Sequence, residues 1–294
     1  MIQVAPEVRE ALDSGRAVVA LETTLVAHGF PAGEGLDVAL EAERRVRGAG
    51  AVPATVGVLD GRVQVGLDPG ELERFAVAGD SARKAGPRDL AFCVATGVLG
   101  ATTVGGTLAV CPAADIHFMG TGGIGGVHRG FAERPDVSAD LAQLARTPAL
   151  VVSSGVKSLL DVPATAELLE TLGVPVLGYR TTELPLFYSA GGGPPVSARV
   201  DSPEEAARTA QAHWELGGAA LLLARDPDDG VDVEPLIQKA LASAAEQGIH
   251  GQQVTPFVLS YLHEHSGGRT LEVNRELIVA NARLAAQVAV GATG

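Results

Sequence analysis

Strand-length apolar runs alternate with helix-length amphipathic stretches along almost all of this 294-residue chain. Strands separated by helical crossovers pair in parallel and must be covered on both faces. The alternation therefore restricts the chain to an α/β fold. We expect a single-domain α/β/α sandwich over residues 1–294, with a central, largely parallel or mixed sheet. "AVVALETT" (17–24), "IHFMG" (116–120), "ALVVSSG" (149–155), "VPVLGY" (174–179) and "AALLLAR" (219–225) read as strands. "TVGVLDGRVQVG" (55–66) reads as a hairpin turning at Asp60-Gly61. Helical patterns cover 35–50, 70–77, 102–114, 137–146, 161–173, 202–217, 233–248 and 274–289. Ser138 is placed to cap the fourth of these, and Asp161 with Pro163 to open the fifth. "SAGGGPPVSARVDS" (189–202), dense in glycine and proline, reads as a surface loop.

Charge narrows the partners. A net charge of −13 argues against a nucleic-acid backbone or an anionic membrane, while a small anionic ligand needs only local positive groups. The start lacks a basic region followed by a long apolar core, and no run reaches the roughly 18 apolar residues of a membrane span. A cytoplasmic location is expected. Cys93 and Cys111 lack metal-ligand spacing and read as buried free thiols. Against 19 arginines the chain keeps only three lysines, Lys84, Lys157 and Lys239. Arginine serves for surface charge here, so a retained lysine hints that an amine is wanted, because an amine can lose its proton and attack carbon.

"FMGTGGIGGVHRG" (118–130) contains Gly-x-Gly-x-x-Gly from Gly120 to Gly125. A dinucleotide site needs a strand before the glycines, a helix opening at them and an acid ending the next strand. The strand is present, but Gly126, Gly130 and Pro135 break any helix begun at Gly122, and Asp140 falls inside a helical pattern. The dinucleotide reading fails two of three tests. What remains is a loop rich in backbone N–H groups, with Thr121, His128 and Arg129 nearby, that either cradles an anion or lets chain segments approach closely.

Lys157 follows a buried strand, at the edge where α/β proteins bind ligands. Partly desolvated there, it could form an imine with a sugar carbonyl; a solvated strand-end lysine is the plainer alternative. Glu22 also ends a strand, in an apolar setting that suits a proton donor. Asp136 and Asp140 offer oxygen ligands for a hard divalent metal or, equally, cap a helix start. Lys84, in "SARKAGPRDL", could neutralise a phosphate or lie on a surface loop.

Together "ALETTLVAHGFP", "RDL", "GATTVGGTLAV", "TGGIGGVHRG", "DVSADLAQLARTP", "SSGVKSLLDVPATAELLETLGVPVLGY", "VTPFVLSYLHEHSGG" and "NARLAA" resemble the pseudouridine-5'-phosphate glycosidases, which include the indigoidine synthase A-like proteins. The resemblance runs from about Val18 to Val288. It implies reversible cleavage of the carbon–carbon glycosidic bond of pseudouridine 5'-phosphate to ribose 5-phosphate and uracil, with manganese or a similar metal, in a homotrimer. By the same resemblance Lys157 matches the nucleophile, Glu22 the proton donor and Asp136 the metal-binding aspartate. Lys84, Val104, the Ser138-Ala139-Asp140 stretch and Asn281 match substrate contacts. The chain departs from the family pattern in Asp226, where asparagine is usual, in Ala280, which replaces the first of a pair of asparagines, and in the glycines of "TVGGTL". A class I aldolase-type enzyme would also use an imine-forming lysine on a phosphosugar, and would release an aldehyde rather than a base.

Overall fold

The structure is a computed structural model that describes residues 1–31, 33–133, 135–249 and 254–293. Its main sheet runs, edge to edge, through Ile2–Val4, Arg62–Val65, Val52–Leu59, Val18–Glu22, Phe118–Gly120, Leu150–Ser153, Leu221–Arg225, Val176–Tyr179 and Ala198–Val200. Every neighbouring pair on this path is parallel except Val52–Leu59 with Arg62–Val65. Gly100–Thr102 pairs antiparallel with Val52–Leu59, and Arg83–Ala85 extends that side arm in parallel. The chain is thus an α/β/α sandwich on a largely parallel sheet. The central strands are buried along their whole length, as continuous apolar runs require.

Local chemistry explains the connections. Asp60 and Gly61 both take positive φ, 50° and 73°, the mirror-image turn that matches strand twist. Asp161 caps Val162–Thr171 by accepting from Ala164 N–H at 3.0 Å, and Ser138 caps Ala139–Leu144 by accepting from Asp140 N–H at 3.2 Å. Of the stretch 102–114, expected to be helical, Thr102 ends the strand Gly100–Thr102 and Thr103 caps an α-helix Val104–Val110 that continues as a 3₁₀ turn Cys111–Ala114.

The 189–202 stretch is not a loop throughout. Gly192–Pro195 pairs antiparallel with Glu183–Pro185, and Ala198–Val200 is an edge strand of the main sheet. Proline is tolerated because both are edge positions, where a missing N–H breaks no central ladder. A helix at Val254–His265 and short strands at Ile2–Val4, Arg83–Ala85 and Gly100–Thr102 also arise where no clear periodicity announced them. The helix Arg269–Thr293 is longer than its periodic segment and packs on the strands Val18–Glu22, Phe118–Gly120 and Leu150–Ser153. Through Asn274 and Ile278 it forms one wall of a cavity at the strand ends.

Candidate active site

Three strand ends deliver the chemistry. Glu22 ends one central strand, Thr121 follows the next, and Lys157 lies four residues beyond Ser153, the end of the third. Gly155 makes the last placement possible. Its φ is +76°, and a Cβ there would come within 2.1 Å of Pro185 O, so only glycine lets the chain turn after the strand. Lys84 reaches the same place from the side arm.

These residues line a cavity in two parts. The larger, about 370 Å³, has Leu25, Phe187, Leu259, Leu262 and Ile278 among its walls, with His28 and Asn274 as polar interruptions. The smaller, about 70 Å³, is lined by Thr103, Val104, Gly125, His128, Ser138 and Asp140. Glu22, Thr24, Lys84, Lys157 and Leu159 belong to both. One carboxyl and two amines therefore stand at the junction of an apolar and a polar compartment.

Desolvation shifts Glu22 and Lys84 in opposite directions. Glu22 is only 4% exposed, and burial pushes its carboxyl above the ordinary range, against the opposing pull of Lys157 and a hydrogen bond from Thr121 Oγ1 at 2.5 Å. Although Lys84 is exposed as a residue, desolvation of its amine among the cavity walls and then Lys157 push it below the ordinary amine range, with Asp140, Glu22 and Asp136 opposing. His128 is lowered by burial, with Asp136 pulling the other way. A carboxyl that holds its proton more tightly than usual, beside an amine that holds its own less tightly, suits acid–base chemistry.

The glycine loop is mainly a close-packing device. Of its N–H groups, Thr121 donates to Val152 O, Ile124 to Gly155 O and Gly125 to Asp140 Oδ2. A Cβ on Gly125 would meet Ser138 Oγ at 2.3 Å. Asp140 uses both oxygens on backbone, accepting from Gly105 N–H at 2.7 Å and Gly125 N–H at 2.9 Å, and so ties the first turn of the helix Val104–Val110 to the glycine loop beside the small compartment.

Three residues implied by the resemblance lie outside both compartments. Ala139 is exposed at the helix start. Asp136 lines an adjoining groove with Arg129 and Glu133, its Oδ2 3.9 Å from Nε2 of His128, which lines both that groove and the small compartment. Asn281 is fully buried behind the glycine loop, its amide donating to Thr121 O at 2.8 Å and Gly122 O at 3.2 Å. Asp226 accepts from Gly191 N–H at 2.9 Å through Oδ1, a bond that an asparagine carbonyl could make equally.

The family profile described as "Indigoidine synthase A like protein" matches residues 7–291. The chain belongs to that family. This indigoidine synthase A-like chain is 52% identical to a pseudouridine-5'-phosphate glycosidase of Streptomyces griseus, covering 98% of this chain and 91% of the relative. It is 47% identical to one of Herpetosiphon aurantiacus, covering 98% and 96%. Among solved structures it is similar to a prealnumycin C-glycosynthase in complex with ribulose 5-phosphate, with a TM-score of 0.92 at 40% identity over 100% of this chain and 97% of the other. It is also similar to an indigoidine synthase A-like protein of Thermotoga maritima, with a TM-score of 0.90 at 35% identity over 100% and 97%.

The cavity of this family member also has apolar walls to which the sequence reading assigned no role. Leu259 and Leu262 come from the helix Val254–His265, and Phe187 follows the strand Glu183–Pro185. Asn274 and Ile278, four residues apart on the long helix, share a face, so helical spacing linked them without saying what they faced.

Proposed function

We propose that this chain, acting as one domain, reversibly cleaves the carbon–carbon glycosidic bond of pseudouridine 5'-phosphate, giving ribose 5-phosphate and uracil through an imine on Lys157. The observation that carries the reading is the meeting of buried Glu22 with Lys84 and Lys157 between a polar and an apolar compartment. A carbon leaving group cannot depart by protonation of a bridging heteroatom. Glu22 gives its proton to the ring oxygen as that C–O bond breaks, and the Lys157 amine adds at C1 of the opened sugar. Protonation at uracil C5 then breaks the C1–C5 bond, and the lysine lone pair becomes the imine. Water adds to the imine and releases the sugar aldehyde, restoring the amine. Lys84, Ser138 and Val104 hold the phosphosugar in the small compartment, and phosphate binding orients the reacting carbon.

Manganese or a similar divalent ion fits this chain in one way. Among the described residues no three His, Cys, Asp or Glu side chains gather into a metal cage. Asp136, 38% exposed beside the small compartment, is a hard oxygen donor of the kind that holds a largely hydrated cation with few protein ligands. When bound, such an ion supplies positive charge for the substrate phosphate. The resemblance and the acidic composition support a cytoplasmic homotrimer that engages neither nucleic acid nor membrane. Among the described residues no helix is long and apolar enough to cross a membrane.

The test is incubation with pseudouridine 5'-phosphate and manganese, following the ultraviolet absorbance of the base and the appearance of ribose 5-phosphate. Loss of the C-nucleoside with matching release of uracil is expected. Unchanged substrate, together with cleavage of another phosphosugar to an aldehyde, would replace this reading with an aldolase-type activity.

A further inference from the structure

Thr121 is tied down on three sides. Its N–H donates to Val152 O at 2.9 Å, its carbonyl accepts from Asn281 Nδ2 at 2.8 Å, and its hydroxyl donates to Glu22 Oε1 at 2.5 Å. Asn281 is in turn held, its amide also donating to Gly122 O and Ser154 Oγ, both at 3.2 Å. Glu22 Oε2 has no hydrogen-bond partner among the described residues, yet it is not among the sealed, unpartnered polar atoms. Since Glu22 lines both compartments, Oε2 is the oxygen open to the cavity.

We propose that Thr121 is a positioning residue that fixes which oxygen of Glu22 carries the transferable proton. A hydroxyl that donates to Oε1 makes that atom the carbonyl oxygen of the protonated acid and leaves the O–H on Oε2, facing substrate. Without it the two oxygens are equivalent and the carboxyl can turn its proton away from the cavity. The β-branched side chain has few χ1 choices, and with the backbone pinned on both sides the hydroxyl is held on its acceptor. The charged groups around Glu22 are Lys157, Lys84 and Asp140; Thr121 is the neutral member of this set, and its hydrogen bond favours the ionised form.

This inference rests on Glu22 being the acid, and the experiment separates the two. Thr121→Val keeps the shape and removes the hydroxyl, Thr121→Ser restores it, and Glu22→Gln removes the proton. Turnover in Thr121→Val should fall on the order of 10- to 100-fold with KM little changed, and Thr121→Ser should recover most of it. The infrared carbonyl band of protonated Glu22, identified by its absence in Glu22→Gln, should move to higher frequency in Thr121→Val and titrate at higher pH. In the double variant the Thr121 change should add nothing to the Glu22 loss. Should Thr121→Val fail to fold, Thr121→Ala gives the same infrared reading with a smaller side chain. An unshifted band, or losses that multiply in the double variant, overturns the role of Thr121. Full turnover in Glu22→Gln overturns the acid itself.

Discussion

Asp140 holds Gly125 by a 2.9 Å hydrogen bond from the glycine N–H to Oδ2, while its Oδ1 accepts from Gly105 at 2.7 Å. The aspartate is 5% exposed and spends both oxygens on backbone donors, one from the first turn of the helix Val104–Val110 and one from the glycine loop. Asn can accept on one side only, so Asp140→Asn leaves one N–H facing an amide N–H. A buried donor left unpaired costs about 1–3 kcal/mol. The variant should lose that much stability in urea unfolding, and turnover should fall with it. Wild-type stability in Asp140→Asn would show that the helix start and the glycine loop are held by other contacts.

Borohydride added together with ribose 5-phosphate should attach the sugar phosphate irreversibly to Lys157. Lys84 shares both compartments with it, so peptide mass spectrometry must assign the adduct. An adduct on Lys84 or Lys239, or none, is incompatible with the imine on Lys157.

The positions of Glu22 and Lys157 were legible because each follows an uninterrupted apolar run, and parallel strands carry ligands at their carboxyl ends. Asp140 drew notice, but its partners lie 35 and 15 residues away, and no local pattern encodes such a bond. The apolar wall is likewise tertiary: Leu259 and Ile278 meet only when two helices close over the strand ends. The glycines and prolines of Gly192–Pro195 signal a turn, whereas its strand pairing with Glu183–Pro185 is set by tertiary context at an edge.

Asp136→Ala should lower activity at limiting manganese and leave the fold intact. Its carboxylate is partly exposed, its contact with His128 is a loose 3.9 Å, and among the described residues its side chain makes no hydrogen bond. Turnover measured across a manganese titration, beside a melting curve, separates a metal ligand from a bystander. A variant with the wild-type metal dependence removes Asp136 from the metal site.

Glu22→Gln should separate function from stability in opposite directions. General acid–base groups contribute about 10²–10⁴-fold, so turnover should drop by that order with substrate binding little changed. Stability should move the other way at neutral pH. Burial raises the Glu22 carboxyl above its ordinary value of 4.5, so the folded protein keeps a proton that the unfolded chain releases. The unfolded state then binds fewer protons, and stability falls as pH rises from about 4.5 through the raised folded value. Gln carries no ionisable proton and escapes that loss. The variant should therefore unfold at an equal or higher temperature than wild type at pH 8, and the gap should narrow as pH falls towards 5. Thermal melts at both pH values, on the preparation used for turnover, test both halves. A Gln variant that keeps most of its turnover, or that melts well below wild type at pH 8, would show that Glu22 is an ionised, paired group rather than a buried proton donor.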